Sequence, residues 1–241
     1  MTKGDIQFVR SLHDKNGRTQ HGLFIAEGEK LIGEIMESQL VVRKIYALEG
    51  AMPFDGVETI SPKEMERIST LKSANKSVAV VEIPQYSLDV STLRDRLIIA
   101  LDEVQNPGNL GTIIRLADWF GIEDIVCSPT SADLYNPKVV QATMGAITRV
   151  RVHYRPLVPL LKECNSTIYG TLLDGENIYN AELQKTGVIV MGNEGRGLSP
   201  EVAQLVDQKL YIPPYPLDNS GSESLNVAIA TAIVCSEFRR R

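Results

Sequence analysis

The strongest chemical signal in this chain is the end of one apolar run. Val188-Ile189-Val190 leads into Met191-Gly192-Asn193-Glu194-Gly195-Arg196-Gly197, followed by a second run at Leu210-Tyr211-Ile212 and a helix-like stretch from Ser224. Three closely spaced glycines let a backbone bend sharply and approach a ligand, while Asn193 and Glu194 add an amide and a carboxylate at the strand's end. Such a loop suits a polar, ring-bearing small molecule. Its order, G-x-x-G-x-G, is not the dinucleotide G-x-G-x-x-G, and no Gly-Lys-Ser/Thr follows to cradle a phosphate. On local grounds a ligand loop and an ordinary turn with a Schellman-type stop both fit.

The elements that must position this loop follow a regular rhythm. Strand-like runs at Leu97–Leu101, Asp124–Cys127, Thr167–Leu172, Val188–Met191 and Lys209–Ile212 alternate with helical stretches at 110–120, 137–146, 156–164, 200–206 and 224–238. This alternation predicts an α/β fold, a mostly parallel sheet with helices on both faces. Asn136-Pro137 and Ser199-Pro200 each pair a capping side chain with proline at the first helical position. The last helix is apolar nearly all round, which predicts burial in its own domain or in a dimer interface.

Residues 1–90 form a separate α/β unit. A short helix at 6–13, a polar turn at Lys15-Asn16-Gly17-Arg18, a strand at Leu23-Phe24-Ile25, a helix over Glu29–Ser38 and a strand near Lys44–Leu48 come first. A capping box, Ser61-Pro62-Lys63-Glu64, starts another helix, and Ser77–Ile83 reads as a strand. Pro84–Asp89 is a linker, leaving 91–241 as the second domain.

Bulk properties narrow the function classes. With 43% hydrophobic and 23% charged residues the chain has the composition of a soluble globular protein. No apolar run is long enough for a membrane helix and the first residues lack a signal core, so the cytoplasm is expected and no membrane partner. Cys127, Cys164 and Cys235 are too few and too scattered for a disulfide framework or zinc site, and no metal is expected. A net charge of −5 gives no global pull on nucleic acid. Local basic residues must supply it, and Arg10, Lys15 and Arg18 form one candidate RNA-contacting cluster.

Three segments, taken together, resemble the SpoU/TrmH family of S-adenosylmethionine-dependent RNA ribose 2′-O-methyltransferases in the SPOUT superfamily. They are Leu101–Asp118 with Asn109 and Arg115, the loop Met191–Gly197, and the stretch from Ile212-Pro213 to Ser224-Leu225-Asn226-Val227-Ala228-Ile229-Ala230. The first unit resembles the family's L30e-like RNA-binding module through Gly22–Gly28 and Val42–Ala47. The resemblance implies a catalytic domain whose C-terminal segment is threaded as a trefoil knot, a homodimer, a structured rRNA or tRNA substrate, and S-adenosyl-L-methionine as cofactor.

It also implies roles. Arg115 lies nearest the reacting 2′-oxygen. Free arginine holds its proton above pH ~12, so orienting phosphate and oxygen suits it better than acting as base, although both roles stay open. Asn109 either caps its helix or contacts substrate. Glu194 is either a solvated turn residue or, by its place in the second motif, lies beside Arg115, where a carboxylate would fix the guanidinium. Asn226 completes the catalytic set or is a polar cap. Leu172, Gly192, Ile212, Ser224 and Leu225 match cofactor-binding positions, several of them through backbone groups. The loop Pro214–Glu223 is longer than the usual family loop. A silent RNA-binding protein of the same fold is the alternative function; a conventional Rossmann methyltransferase is disfavoured by the missing glycine fingerprint.

Overall fold

The structure is a computed structural model that describes residues 1–216 and 224–240. In chain order its elements are α1 (Lys3–Ser11), α2 (Lys15–His21), β1 (Leu23–Glu27), α3 (Glu29–Met36), β2 (Val42–Ala47), β3 (Glu58–Thr59), α4 (Pro62–Ile68) and β4 (Ser77–Glu82). Next come β5 (Leu97–Leu101), α5 (Pro107–Trp119), β6 (Asp124–Cys127), α6 (Pro137–Ala142), β7 (Arg151–Tyr154) and α7 (Leu157–Glu163). The last are β8 (Ile168–Asn177), β9 (Gly187–Met191), α8 (Pro200–Ala203), β10 (Gln208–Tyr211) and α9 (Val227–Arg240). They divide into two units, Met1–Gln85 with Asp133–Arg149, and Tyr86–Ala132 with Val150–Arg241.

The first unit holds a four-stranded sheet in the order β1-β4-β2-β3. Its β1–β4 and β4–β2 pairs are antiparallel and β2–β3 is parallel. One face, with Ile25, Val78 and Val80, packs on Ile6 and Val9 of α1, on Leu12 just after it, and on Met65 and Ile68 of α4. The capping box forms as its sequence predicts: Ser61 Oγ accepts from the Glu64 N–H and Glu64 Oε2 from the Ser61 N–H. The sequence reading is corrected at 15–18. The expected polar turn is the first half of α2, which follows Asp14 and closes at Gly22 in the left-handed region, φ 64°. The segment Asp133–Arg149, although it interrupts the second unit in sequence, groups with the first: α6 packs on β1, and the Phe24 and Tyr135 rings lie 4.9 Å apart.

The second unit is a six-stranded sheet, β10-β8-β9-β5-β6-β7, in which every pairing is parallel. Its central strands β5 and β9 are buried at every residue, as unbroken apolar runs covered on both faces must be. Ile98, Ala100, Val188 and Val190 face α7 and α8 through Leu157, Leu160, Leu161 and Val202. Because side chains alternate along a strand, Tyr169 on the other face meets Phe238 of α9, their rings 4.8 Å apart. Four sequence expectations are adjusted. β7 was not read from the sequence; it is four residues long and begins and ends in charged or ring-bearing polar positions. The stretch 137–146 is a six-residue helix followed by a separate 3-10 turn after Gly145, and α9 starts at Val227 rather than Ser224. Ser199 makes no capping bond through its side chain.

At the amino-terminal end of this sheet, opposite the edge where the glycine loop emerges, Asp124 is held by three partners. Arg151 donates to both its oxygens at 2.8 Å, Arg96 Nη1 reaches Oδ2 at 2.8 Å, and His153 Nε2 lies 3.0 Å from Oδ1. Burial alone would raise this carboxyl, but the bonds from Arg151 and His153 outweigh it and hold it far below the usual carboxylate range. Asp124→Ala should therefore cost about 2–3 kcal/mol in urea unfolding, the arginines being partly open to solvent. For a depressed carboxyl the contribution is complete above its unfolded value, about pH 4, and is lost as the pH falls through the native one. An Asp124→Ala protein with unchanged stability at neutral pH would contradict this.

Candidate active site

The site lies in the second unit, at the carboxyl ends of β5 and β9, where an open parallel sheet leaves a crevice. The two strands run in register from Leu97↔Gly187 to Leu101↔Met191, so the chain leaves them side by side. The Asp102 N–H donates to the Met191 carbonyl at 2.8 Å, and Asp102 Oδ2 accepts from the Ser199 N–H at 2.7 Å, which clamps both ends of the glycine loop's stem.

The loop closes on itself. Asn193 and Gly197 exchange two main-chain bonds, each 2.9 Å, and Asn193 Oδ1 accepts from the N–H groups of Gly195 and Arg196 at 2.9 and 3.1 Å. Gly192 is required by this closure: a Cβ there would sit 2.3 Å from the Gly197 carbonyl carbon. Asn193 Nδ2 also donates to the Glu103 carbonyl at 2.8 Å, and Glu103 stands in the left-handed region at φ 59°. Its carboxylate pairs with Arg196.

Three of the four catalytic candidates meet. Asn109 Nδ2 donates to Glu194 Oε1 at 2.8 Å, and Asn226 Nδ2 donates to Asn109 Oδ1 at 3.0 Å. Asn226 Oδ1 in turn accepts from the N–H groups of Ala228 and Ile229, at 2.9 and 3.4 Å. Asn226 is thus both a helix cap and a site residue. Asn109 is not the cap of α5; Asn106 is, accepting from the N–H groups of Gly108 and Asn109 at 2.8 and 3.2 Å. That cap, with Pro107 behind it, frees the Asn109 side chain for Glu194.

Partial burial would raise the Glu194 carboxyl, but bonds from Asn109 and from main-chain N–H groups including that of Asn106 outweigh it, so the carboxyl lies below its ordinary value. Ionised, it can only accept, which fixes the polarity of the whole chain of amides.

Arg115 does not join this group. It lies on an exposed face of α5, and among the described residues its side chain has no hydrogen-bond or ion-pair partner. The expectation that Glu194 orients Arg115 is corrected: the carboxylate's partners are Asn109 and Asn106. Arg115 and Asn109 lie six residues apart on the same helix, about 9 Å along its axis.

Of the positions expected to hold a cofactor, Leu172, Gly192 and Ile212 are half-buried, and Ser224 and Leu225 are exposed. Among the described residues nothing takes up the main-chain N–H groups of Gly192, Ile212 or Leu225. Free backbone groups at a strand end and beside a helix start fit a ligand read by its ring edges. The loop 214–223 falls mostly outside the described residues. The cysteines take no part: all are buried, and burial pushes Cys235 up to about 12 and raises Cys127 and Cys164 as well. No cluster of metal-ligating side chains occurs among the described residues.

In the first unit Arg10 and Lys15 are exposed, but Arg18 is only 3% exposed. Its guanidinium donates to the carbonyls of Leu12 and His13 and to Asp133 Oδ2 at 2.6 Å. Its assignment to RNA contact is therefore corrected: it is a structural cation, taken up by the turn between α1 and α2 and by its own unit's Asp133. A charge run cannot reveal this in sequence, because the partner lies 115 residues away.

The chain is similar to known proteins over nearly its whole length. The SpoU rRNA Methylase family matches residues 96–236, and an MRM3-like substrate binding domain matches residues 3–88. The 23S rRNA (guanosine(2553)-2′-O)-methyltransferase RlmP of Bacillus subtilis is 32% identical over 240 residues, 95% of this chain and 94% of that protein. The AdoMet-bound rRNA methyltransferase of Sinorhizobium meliloti superposes with a TM-score of 0.85 at 27% identity, covering 100% of this chain and 95% of that one. The AviRb SpoU methyltransferase of Streptomyces viridochromogenes, solved with AdoMet, gives a TM-score of 0.84 at 25% identity, covering 100% and 98%.

Two outcomes check this geometry. Asn109→Ala should move the Glu194 carboxyl up toward its ordinary value in an NMR titration, and an unmoved carboxyl would mean that Asn109 does not hold it. Arg18→Ala should lower unfolding stability by about 3 kcal/mol, whereas an unaltered unfolding curve would return Arg18 to the surface set.

Proposed function

This chain belongs to the SpoU rRNA methylase family, and on that premise we propose how its residues divide the work of methylating a ribose 2′-hydroxyl in RNA. It is an S-adenosylmethionine-dependent RNA 2′-O-methyltransferase. Bound at the carboxyl ends of the strands, S-adenosylmethionine supplies a methyl group already activated by its sulfonium. The protein's task is alignment of the weakly nucleophilic 2′-oxygen and management of its proton.

We assign the main-chain groups of Gly192, Ile212 and Leu225, with Leu172 and Ser224 beside them, to cofactor binding. Free N–H groups at the first three positions support this. Arg115 grips an RNA phosphate with its fixed fork, orients the 2′-oxygen and stabilises the charge that develops on it. Its exposure, and the lack of a partner for it among the described residues, support the assignment. Asn109, Glu194 and Asn226 are the scaffold of the pocket: the anionic Glu194 draws the Asn109 amide inward and Asn226 fixes its far side. The observation that carries this reading is the single chain of amides joining all three family segments.

Ribosomal RNA is the proposed substrate. The Bacillus subtilis relative, named for guanosine 2553 of 23S rRNA, and a 29% identical Streptomyces viridochromogenes relative, named for uridine 2479 of 23S rRNA, both match nearly the whole chain. Residues 1–90, joined by the segment Asp133–Arg149 that groups with them, form the L30e-like substrate-binding domain, with Arg10 and Lys15 as backbone contacts, and the rest of 91–241 the methyltransferase domain. The cytoplasm, where ribosomal RNA is processed in bacteria like these relatives' hosts, is the proposed location. A trefoil knot in the C-terminal segment belongs to the same proposal, supported by the return of Asn226 to the start of α5. So does a homodimer through α9. One side of that helix is buried by its own unit, yet Ile229 stays 53% exposed.

Methyl transfer to 23S rRNA should give an alkali-resistant dinucleotide. Base methylation, or cofactor binding without transfer as in a silent RNA-binding protein, would contradict the proposal. Arg115→Ala should abolish transfer with the calorimetric affinity for S-adenosylmethionine unchanged, and a comparable loss of cofactor binding would overturn its assignment. Neutralising Arg10 and Lys15 should lower the slope of log affinity against log salt by roughly 0.7 per phosphate contact removed. An unaltered slope would dismiss them.

A further inference from the structure

One exposed face of α5 carries Gly108, Thr112, Arg115 and Trp119, at helical spacing, while Leu110, Ile113, Ile114 and Ala117 are buried behind it. Trp119, the chain's one tryptophan, is 83% exposed. An indole offers about 150–250 Å² of surface that gains by being covered, with a flat face that a second ring can stack on. It stands one helical turn, about 6 Å along the axis, from Arg115.

The platform beneath it is rigid. Arg239 Nε donates to the Phe120 carbonyl at 2.7 Å and Nη2 to the Gly121 carbonyl at 3.0 Å, which ties off the end of α5 just past Trp119. Gly121, in the left-handed region at φ 63°, ends the helix there.

We propose that Trp119 is a stacking platform for an unpaired base of the substrate RNA next to the methylated nucleotide, with Arg115 holding the intervening phosphate. This rests on the reading of the site as an RNA 2′-O-methyltransferase. Charge decides for RNA over a second copy of the chain. A ring beside a free guanidinium complements a base and its phosphate, whereas an apolar patch of a second protein would bury that cation without a counter-charge. The ring's flat face accepts any base, so Trp119 adds affinity and register, and the choice of nucleotide is made elsewhere.

A single tryptophan makes the test direct. Its fluorescence should be quenched saturably by a 23S rRNA transcript and by single-stranded oligoadenylate. Trp119→Ala should raise KM for the transcript by about 5- to 150-fold, the range for loss of one stacked base, and leave the affinity for S-adenosylmethionine unchanged. Trp119→Tyr should recover most of the loss and Trp119→Leu should not, since leucine is apolar but cannot stack. Emission already shifted to the blue without RNA and dependent on protein concentration, or full recovery with Trp119→Leu, would overturn the proposal in favour of a contact between copies. Absence of quenching by a transcript that the wild-type protein methylates would also overturn it. Failure of the wild-type protein to methylate any RNA would count against the function itself, and quenching by oligoadenylate would still decide the stacking.

Discussion

The arrangement of the site depends on the polarity of one hydrogen-bonded chain. It starts at the N–H groups of Ala228 and Ile229, passes through the amides of Asn226 and Asn109, and ends on the Glu194 carboxylate. A carboxylate can only accept, and helix N-terminal N–H groups can only donate, so neither amide can flip without setting donor against donor and acceptor against acceptor. The positive end of α9 and the negative charge of Glu194 thus stand at opposite ends of the same chain and reinforce it. Segments 85 and 117 residues away from Asn109 are fixed against one another by this single constraint.

The sheet makes the constraint possible. β5 and β9 are adjacent, parallel and in register, so the loops that follow them leave the same edge. Asn106 takes over the capping of α5, which leaves Asn109 free to serve the site. Gly192 lets the returning chain pass within backbone contact, and Glu103 accepts the strained left-handed conformation that turns its carbonyl toward Asn193. At the opposite end of the sheet, the buried Asp124 at the start of β6 takes bonds from Arg96, Arg151 and His153, and the last two tie β6 to β7.

Much of this was legible in the sequence, for physical reasons. Central parallel strands are unbroken apolar runs, so β5, β6 and β9 stand out; proline after a capping residue marked the starts of α4 and α6. The strand β7 was hidden because it is a short edge strand whose polar Arg151 and His153 read as solvated residues, while in the fold both bond to Asp124. Gly17 and the polar side chains of α2 resembled a turn because that helix buries little of itself except Arg18. Within the site, residue types and order pointed to Asn109, Glu194 and Asn226, but not to their pairing. The pairing of Glu194 with Arg115 comes from the family resemblance, which orders the motifs but does not fix which side chains bond. The structure gives the carboxylate an amide instead, and leaves the guanidinium exposed.

The central claim is that Asn109 and Glu194 act as one unit in transfer. A double-mutant cycle on the single-turnover rate, with Asn109→Ala, Glu194→Ala and the pair, measures that coupling directly. A charge-assisted bond in this chain predicts a coupling of about 1.5–3 kcal/mol, so that the double variant is scarcely slower than either single one. Rate losses that simply add would show that the two residues work independently and would contradict the account.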